Sequence, residues 1–548
     1  MTGPPQSSVL WSPLLVLGLT ASAIETPFFF FGTPSGHDVE FHLYSWLEVL
    51  SQWKLGILYP RWASLAHFAY GEPRFLFYPP ASWTLGAALS AVFPWTLAAS
   101  IYIWIALVAA GLSMFTLART WLNRRDAIFA AALYVANPYH LVIVYWRSAF
   151  AELLASCLLP LMLLLVLKAA EEGWRVVVPL SLLLAAAWLT NAPAALMIHY
   201  SLSLLLVLMA WKRRSWRPLA IGAVAVALGA ALSAFYLLPA IYEQKWVNIA
   251  QAVSPGSRPQ DNFLFSHTSD ADHDAFNRII SWVALAEIAV IFLAGWAAKQ
   301  WRESRSEVWY GLAGWAIACS VLMLPGTGWL WDFLPKLRFM QFPWRWLLCL
   351  NVAFALLVTV GARRVFSRLL VCAVMLIVIV VVWRRIQQPW WDTAADIEEM
   401  HPTMDDGEGY EGADEYVPIG ADAYELKKDA RRVAIEGDAR ARIQVLQWAP
   451  ESKLFLAEVS NPAELVLRLF NYPAWRVQVN GQAVAAETRE TTGQMVIPVE
   501  AGRNRVRVTF IRTGDRTVGG WISGTTLLLT IGLFAMQHKR RDPRETPS

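Results

Sequence analysis

Apolar runs of about 20 residues recur along most of this chain, and that recurrence limits the fold more than any other feature. A helix needs roughly that length to cross the hydrocarbon core of a bilayer. Inside lipid, only helices and closed barrels satisfy every backbone polar group. The rest of the composition agrees. Only 16% of the 548 residues are charged, where a soluble domain has about a quarter. The expected fold class is a polytopic α-helical membrane protein, not a soluble enzyme with an anchor. The 29 tryptophans suit aromatic belts at the two interfaces. Cys157, Cys319, Cys349 and Cys372 fall singly inside apolar runs, with no CxxC pair, and read as small buried hydrophobes. A net charge of +4 gives no reason to expect nucleic acid.

The runs lie near 9–31, 97–118, 126–146, 149–168, 176–190, 192–211, 218–238, 278–298, 308–325, 343–361, 366–384 and 518–537, which predicts about twelve crossings. The first run lacks the basic start and small-residue cleavage site of a signal peptide, and reads as a retained helix carrying Glu25. Basic clusters mark the cytoplasmic side. They occur at Arg119/Arg124/Arg125, Lys168/Arg175, Lys212/Arg213/Arg214/Arg217, Lys299/Arg302/Arg305, Arg363/Arg364/Arg368 and Lys539/Arg540/Arg541. To keep these on one side, 81–93 is read as a short re-entrant or interfacial helix. Both termini are then cytoplasmic, and every long loop falls on the opposite face.

The first of those loops, 32–96, is unusually polar for its setting. It holds His37, Asp38, Glu40, His42 and Arg61. Ionisable groups this close to a bilayer are expensive and functional by default. From 38 to 54 the apolar residues Val39, Leu43, Trp46, Leu47, Leu50 and Trp53 share a helical face, the pattern of an amphipathic helix lying in the interface. Asp38 and Glu40 stand at its start. Residues i and i+2 of a helix do not share a face, so the two acids serve one site only if that start is not helical.

Beyond Gln387 the chain changes character. Residues 392–415 are acidic with no Lys or Arg, and an acid run reads as a solvated linker. Strand-like segments follow at 442–448, 454–459, 464–470, 475–479, 494–499 and 505–511, with a hairpin signal at Asn480-Gly481. The expected organisation is a transmembrane domain over 1–385, then an extracytoplasmic domain over 386–517. The latter comprises an acidic linker at 386–424 and a β-sandwich at 425–517. A final transmembrane helix and basic tail occupy 518–548.

Several short motifs extend the reading. They are Gly36-His37-Asp38, Leu58-Tyr59-Pro60-Arg61-Trp62, Gly71-Glu72-Pro73 and Phe77-Tyr78-Pro79-Pro80 in the first loop. Further on come Asn137-Pro138-Tyr139, Arg147 with Glu152, Gln341-Phe342-Pro343-Trp344-Arg345 and Asp414-Glu415-Tyr416. The tail adds Pro473-Ala474-Trp475, Val479-Asn480-Gly481 and Ala501-Gly502. In these the chain resembles large bacterial membrane proteins of the GT-C glycosyltransferase superfamily, in the branch named for a supposed relation to 6-pyruvoyl-tetrahydropterin synthase. The synthase itself is a soluble zinc enzyme with a histidine cluster. The scattered histidines of this chain offer none.

The resemblance implies transfer of a sugar from a polyprenyl-phosphate donor to a glycan, lipid or protein acceptor, outside the inner membrane of a bacterium. It implies that the first-loop acid, here Asp38, is a general base or helps bind a metal. A partly dry setting would raise the pKa of that carboxylate toward usefulness, and Glu40 would add to it. Arg345, Arg147 and Arg61 are candidates for the donor phosphate, since arginine binds phosphate in a bidentate way. His37, His42, Glu152 and Tyr78 are further candidates. Asp38, Glu40 and His42 offer ligands to a divalent metal but are too local for a complete site, so no cofactor is assigned. Two other readings are open. One is a transporter or flippase of a lipid-linked precursor, although the internal repeats of transporters are not evident. The other is a non-catalytic assembly factor.

Overall fold

The computed structural model describes residues 7–386, 388–437 and 439–539. Arg540 and Arg541 of the expected cytoplasmic tail lie outside them. Among the described residues, eight helices are long and apolar enough to cross a membrane, or ten if two bent pairs each count as one span. The bent pairs are Arg217–Leu232 with Ala234–Trp246, at 78°, and Ser306–Leu322 with Pro325–Phe333, at 93°. Two departures separate this count from twelve. Of the described N-terminal helix, Ser7–Ile24, the apolar part Ser12–Ile24 falls below the length of a span. The 41-residue stretch Phe150–Thr190 stands where two spans were expected. It doubles back at Gly173–Val176, for Phe150–Ala155 packs against Val177–Thr190, which no straight helix permits. Gly173 has a φ of 61°, which suits glycine at such a reversal. Residues 81–93 form a 13-residue helix, Pro80–Val92, too short to cross.

The helical region has one apolar core, and its polar insertions are buried within protein. Asn137 caps Pro138–Val142 by accepting from the Tyr139 amide at 2.8 Å, and its amide donates to Glu287 at 3.2 Å. Glu25 is 7% exposed, enclosed by protein.

The C-terminal strands form two antiparallel sheets. One runs in the order Val433–Glu436, Ala463–Phe470, Gln494–Val499, Glu487–Thr488. The other runs Ala441–Ala449, Ser452–Val459, Gly502–Phe510, Trp475–Val479, Gln482–Val484. Alternate residues face inward, Leu465, Leu467 and Leu469 from one sheet, Val506, Val508 and Phe455 from the other. Asn480 and Gly481, at φ of 53° and 86°, turn the hairpin between 475–479 and 482–484.

Two segments differ from expectation. The helix Val39–Lys54 is no interfacial platform, because Trp46 and Glu48 are fully buried and its tryptophan face packs on Pro80–Val92. An amphipathic pattern serves a protein neighbour as well as a lipid one. Nor is the acidic stretch a solvated linker. Thr393 caps a helix, Ala394–Asp405, through a capping box with Asp396. Ile397, Met400, Tyr410 and Tyr416 are buried anchors, spaced between the acids. The segment straps the first loop. Tyr410 stacks on Tyr44 at 4.3 Å, and Tyr416 on Phe77 at 5.5 Å.

The sandwich core also takes in the first loop. Trp62 is fully buried against Trp475, Phe510 and Tyr472, at ring distances of 5.3, 5.5 and 5.7 Å. Gly71 is required there, since a Cβ would come within 2.1 Å of the Trp62 ring nitrogen. The Tyr-Pro-Arg-Trp and Gly-Glu-Pro motifs therefore join the sandwich to the membrane domain.

Candidate functional site

The site begins with a close backbone approach. The helix Pro138–Val142 runs into a single π turn, Ile143–Arg147, which ends on Ser148 at a φ of 50°. Such single turns are rare and frequent at functional sites, and Arg147 is the last residue of this one. The first loop lies directly on this turn. Gly36 donates to the Ser148 hydroxyl at 3.1 Å, and Asp38 donates its amide to the Arg147 carbonyl at 2.9 Å. A Cβ at Gly36 would meet Ser148 Oγ at 2.6 Å and backbone at 2.7 Å. Glycine is thus what lets residues 109 apart in sequence place their side chains together.

The Asp38 carboxylate stands 3.4 Å from Arg147 Nη2. Arg147 Nη1 donates to Glu152 at 2.6 Å, and Arg345 Nε donates to the same Glu152 oxygen at 3.1 Å. Tyr139 donates its hydroxyl to the other Glu152 oxygen at 2.6 Å. Arg345 is steadied from behind by the Met340 carbonyl at 2.6 Å. The Phe342 ring lies under both guanidiniums, 4.7 Å from Arg345 and 5.4 Å from Arg147, and stacks on Trp344 at 4.8 Å. Two acids and two arginines balance in charge. Glu152, Arg147 and Arg345 are buried, while the Asp38 side chain is 29% exposed and that of His37 87% exposed. The cluster opens outward through these two residues.

The His37 ring nitrogen lies 2.7 Å from Asp38. Burial opposes the charge on Asp38, but the His37 hydrogen bond and the Arg147 guanidinium outweigh it and hold the carboxyl below its usual range. This reverses the expected upward shift. The hydrogen bond to Asp38 correspondingly raises His37. His42 is buried, stacked on Phe150 at 5.1 Å, and burial brings its pKa down to about 4. Tyr78 packs on Phe41 at 4.8 Å, near enough to Asp38, Arg345 and Arg147 to feel all three charges.

Asp38, His37, His42, Arg147, Glu152, Arg345 and Tyr78 are therefore brought together, and two candidates are not. Glu40 is exposed on the first turn of Val39–Lys54, while Asp38 is the non-helical cap. The helical start turns the second acid away. Arg61 lies in a separate cavity beside Arg512 and Arg516. Asp38, Glu40 and His42 do not converge, and among the described residues no three His, Cys, Asp or Glu could hold a metal ion. Gly36, Ser148 and Phe342 carry weight that residue chemistry alone did not suggest. Gly36 and Phe342 do lie in the quoted motifs, where steric and ring-stacking roles leave no charge signal.

Residues 75–388 match the family described as 6-pyruvoyl-tetrahydropterin synthase related domain, membrane protein. The chain belongs to this family. The match covers more than half its length, including Arg147, Glu152, Arg345 and Tyr78, while Asp38 precedes it. No curated protein sequence matches the chain. Among solved structures, it is similar to Cupriavidus metallidurans ArnT bound to undecaprenyl phosphate, with a TM-score of 0.43 and 16% identity, covering 67% of this chain and 62% of that one. It is also similar to the apo Archaeoglobus fulgidus oligosaccharyltransferase, with a TM-score of 0.43 and 15% identity, covering 71% and 56%. The chain thus spans less than two thirds of either protein.

Proposed function

We propose that this membrane protein is a glycosyltransferase that moves a sugar from a polyprenyl-phosphate donor to an acceptor on the extracytoplasmic face. The observation that carries the reading is the open cluster of one partly exposed carboxylate, Asp38, against two buried arginines. In this account Arg147 and Arg345 take the donor phosphate. Their charges are fixed and preorganised by Glu152, so little reorganisation is needed as negative charge grows on the leaving group. The acceptor hydroxyl oxygen attacks the anomeric carbon. The bond from that carbon to the phosphate oxygen breaks, its electron pair stays on phosphate, and the hydroxyl proton passes to Asp38.

An acid held below its normal range is a weak base, and the long Arg147 contact offers a resolution. A phosphate arriving on Arg147 draws it away from Asp38 and adds negative charge nearby. Both changes raise the basicity of the carboxylate. Donor binding would thus ready the base. The charge pattern of the loops supports an extracytoplasmic site in the inner membrane of a bacterium, with cytoplasmic termini.

The reading is tested by placing Asp38→Asn in a strain deleted for the gene and comparing surface polysaccharide, glycoprotein and glycolipid with the wild type. The glycan missing from the deletion should stay missing. Its full return would rule out Asp38 as base. Loss of a flippase would instead leave its lipid-linked precursor on the inner leaflet, with transfer intact in detergent.

A further inference from the structure

Arg61 stands apart from the cluster just described, in surroundings of its own. It lines a cavity of about 200 Å³ together with Tyr59, Phe235, Pro239, Arg512 and Arg516. That is several times the space a single water needs, enough for a phosphate group. The three arginines are not equivalent. Arg516 is 3% exposed, and its charge is already met by Glu243, through Nε to Oε1 and Nη2 to Oε2, both at 2.7 Å. Tyr472 completes that pair by donating to Glu243 at 2.6 Å. Arg61 is half-buried, lies 5.5 Å from the Tyr59 ring centre, and makes no hydrogen bond or ion pair among the described residues. Glu451 acts on it only from beyond ion-pair distance. Arg512 is exposed and donates only to the Arg516 carbonyl, at 3.3 Å. Its guanidinium rests over Gly520, where a Cβ would come within 2.6 Å of Nη2. Two cations are thus left to face one cavity.

The position of the cavity says what would neutralise them. Arg512 and Arg516 bracket the start of the last apolar helix, Gly514–Lys539, which places them at headgroup level when that helix spans. Val518 and Trp521 below them are 51% and 74% exposed, and Ile241 on the bent opposite wall is 61% exposed. A pair of arginines above an apolar surface suits an amphiphile with a phosphate at its head. We propose that this cavity binds the phosphate headgroup of an anionic membrane lipid, at a site separate from the Asp38 cluster and independent of the reaction proposed for it.

The experiment uses full-length protein in detergent, titrated with dioleoylphosphatidylglycerol, dioleoylphosphatidylcholine or inorganic phosphate, with binding read by native mass spectrometry. Phosphatidylglycerol should bind most tightly. The double variant Arg61→Gln/Arg512→Gln should weaken it at least tenfold, and Asp38→Asn should leave it unchanged. If the double variant does not fold, the exposed Arg512→Gln alone should weaken binding severalfold. Unchanged affinity in the arginine variants would overturn the site. Equal binding of the two lipids, with inorganic phosphate competing, would overturn the lipid assignment. Loss of binding in Asp38→Asn would overturn the separation of the two sites.

Discussion

The first loop contributes to two buried charge clusters, and they are finished differently. Around Glu72 every charge is enclosed. Arg74 donates to Glu72 at 2.5 Å, His67 lies 2.9 Å away, and the Ala413 amide of the acidic strap donates at 2.9 Å. Glu72 and Arg74 are 0% and 1% exposed. Burial opposes charge on Glu72, but Arg74 and His67 prevail and its pKa falls to about 2. Nearby, Glu48 accepts from the Leu65 amide at 2.6 Å, again with nothing left open. Around Glu152 the same ingredients leave one member, Asp38, on a long contact with a face to solvent. A closed cluster holds parts together. An open one keeps capacity for a ligand.

The closed cluster should fail in stability. Removing one partner of a buried ion pair costs about 3–5 kcal/mol, so Glu72→Gln should lower the melting temperature sharply and release the strap to protease. A melting temperature unchanged within a degree would break the contrast. The open cluster should fail in rate. Arg345→Gln leaves Glu152 paired with Arg147, and should cost about 10²–10³ in transfer, the range for losing one preorganised donor, with the fold retained. Gly36→Ala tests the approach between loop and π turn. The clash should cost about 1–3 kcal/mol and, by displacing Asp38, lower transfer more than it lowers the amount of folded protein.

The pH responses also differ. A depressed carboxyl contributes stability above its unfolded pKa, about 4.3 for glutamate. It loses that contribution as pH falls through its folded value. Glu72 should therefore release the strap only between about pH 4 and its folded value of about 2. Because Asp38 is likewise depressed in the donor-free protein, kcat/KM for the donor, which reports the free enzyme, should show no loss from carboxylate protonation between about pH 7 and 5. A rate falling tenfold over that interval would contradict the assigned ionisation. The smallest effect belongs to Glu40→Gln. That side chain faces solvent away from the cluster, and transfer should change less than about twofold, as at surface positions generally.

Features set by burial period were legible in the sequence. The expected strand at 454–459 is seen at Ser452–Val459, and 475–479 at Trp475–Val479. The Asn480-Gly481 turn followed from the positive φ that only a few residues accept. Direction and partnership were not legible. Val39–Lys54 has an apolar face whether its neighbour is lipid or protein, and the burial of Trp46 decides for protein. The acid count over 392–415 hid the anchors Ile397, Met400 and Tyr410. In the candidate site the sequence offered Asp38, Arg147, Glu152 and Arg345 one by one. Their meeting depends on a backbone approach at Gly36 and Ser148, which no local pattern encodes. The same gap put Arg61 with the wrong partners.

The most direct test measures two quantities in the same membranes for Asp38→Asn and Glu72→Gln, namely folded protein and the glycan that a deletion strain lacks. Asp38→Asn should keep its protein and lose its glycan, while Glu72→Gln should lose protein and retain the glycan made per folded molecule. Wild-type glycan from Asp38→Asn, or glycan lost only in proportion to protein in both variants, would contradict the division between an open catalytic cluster and a closed structural one.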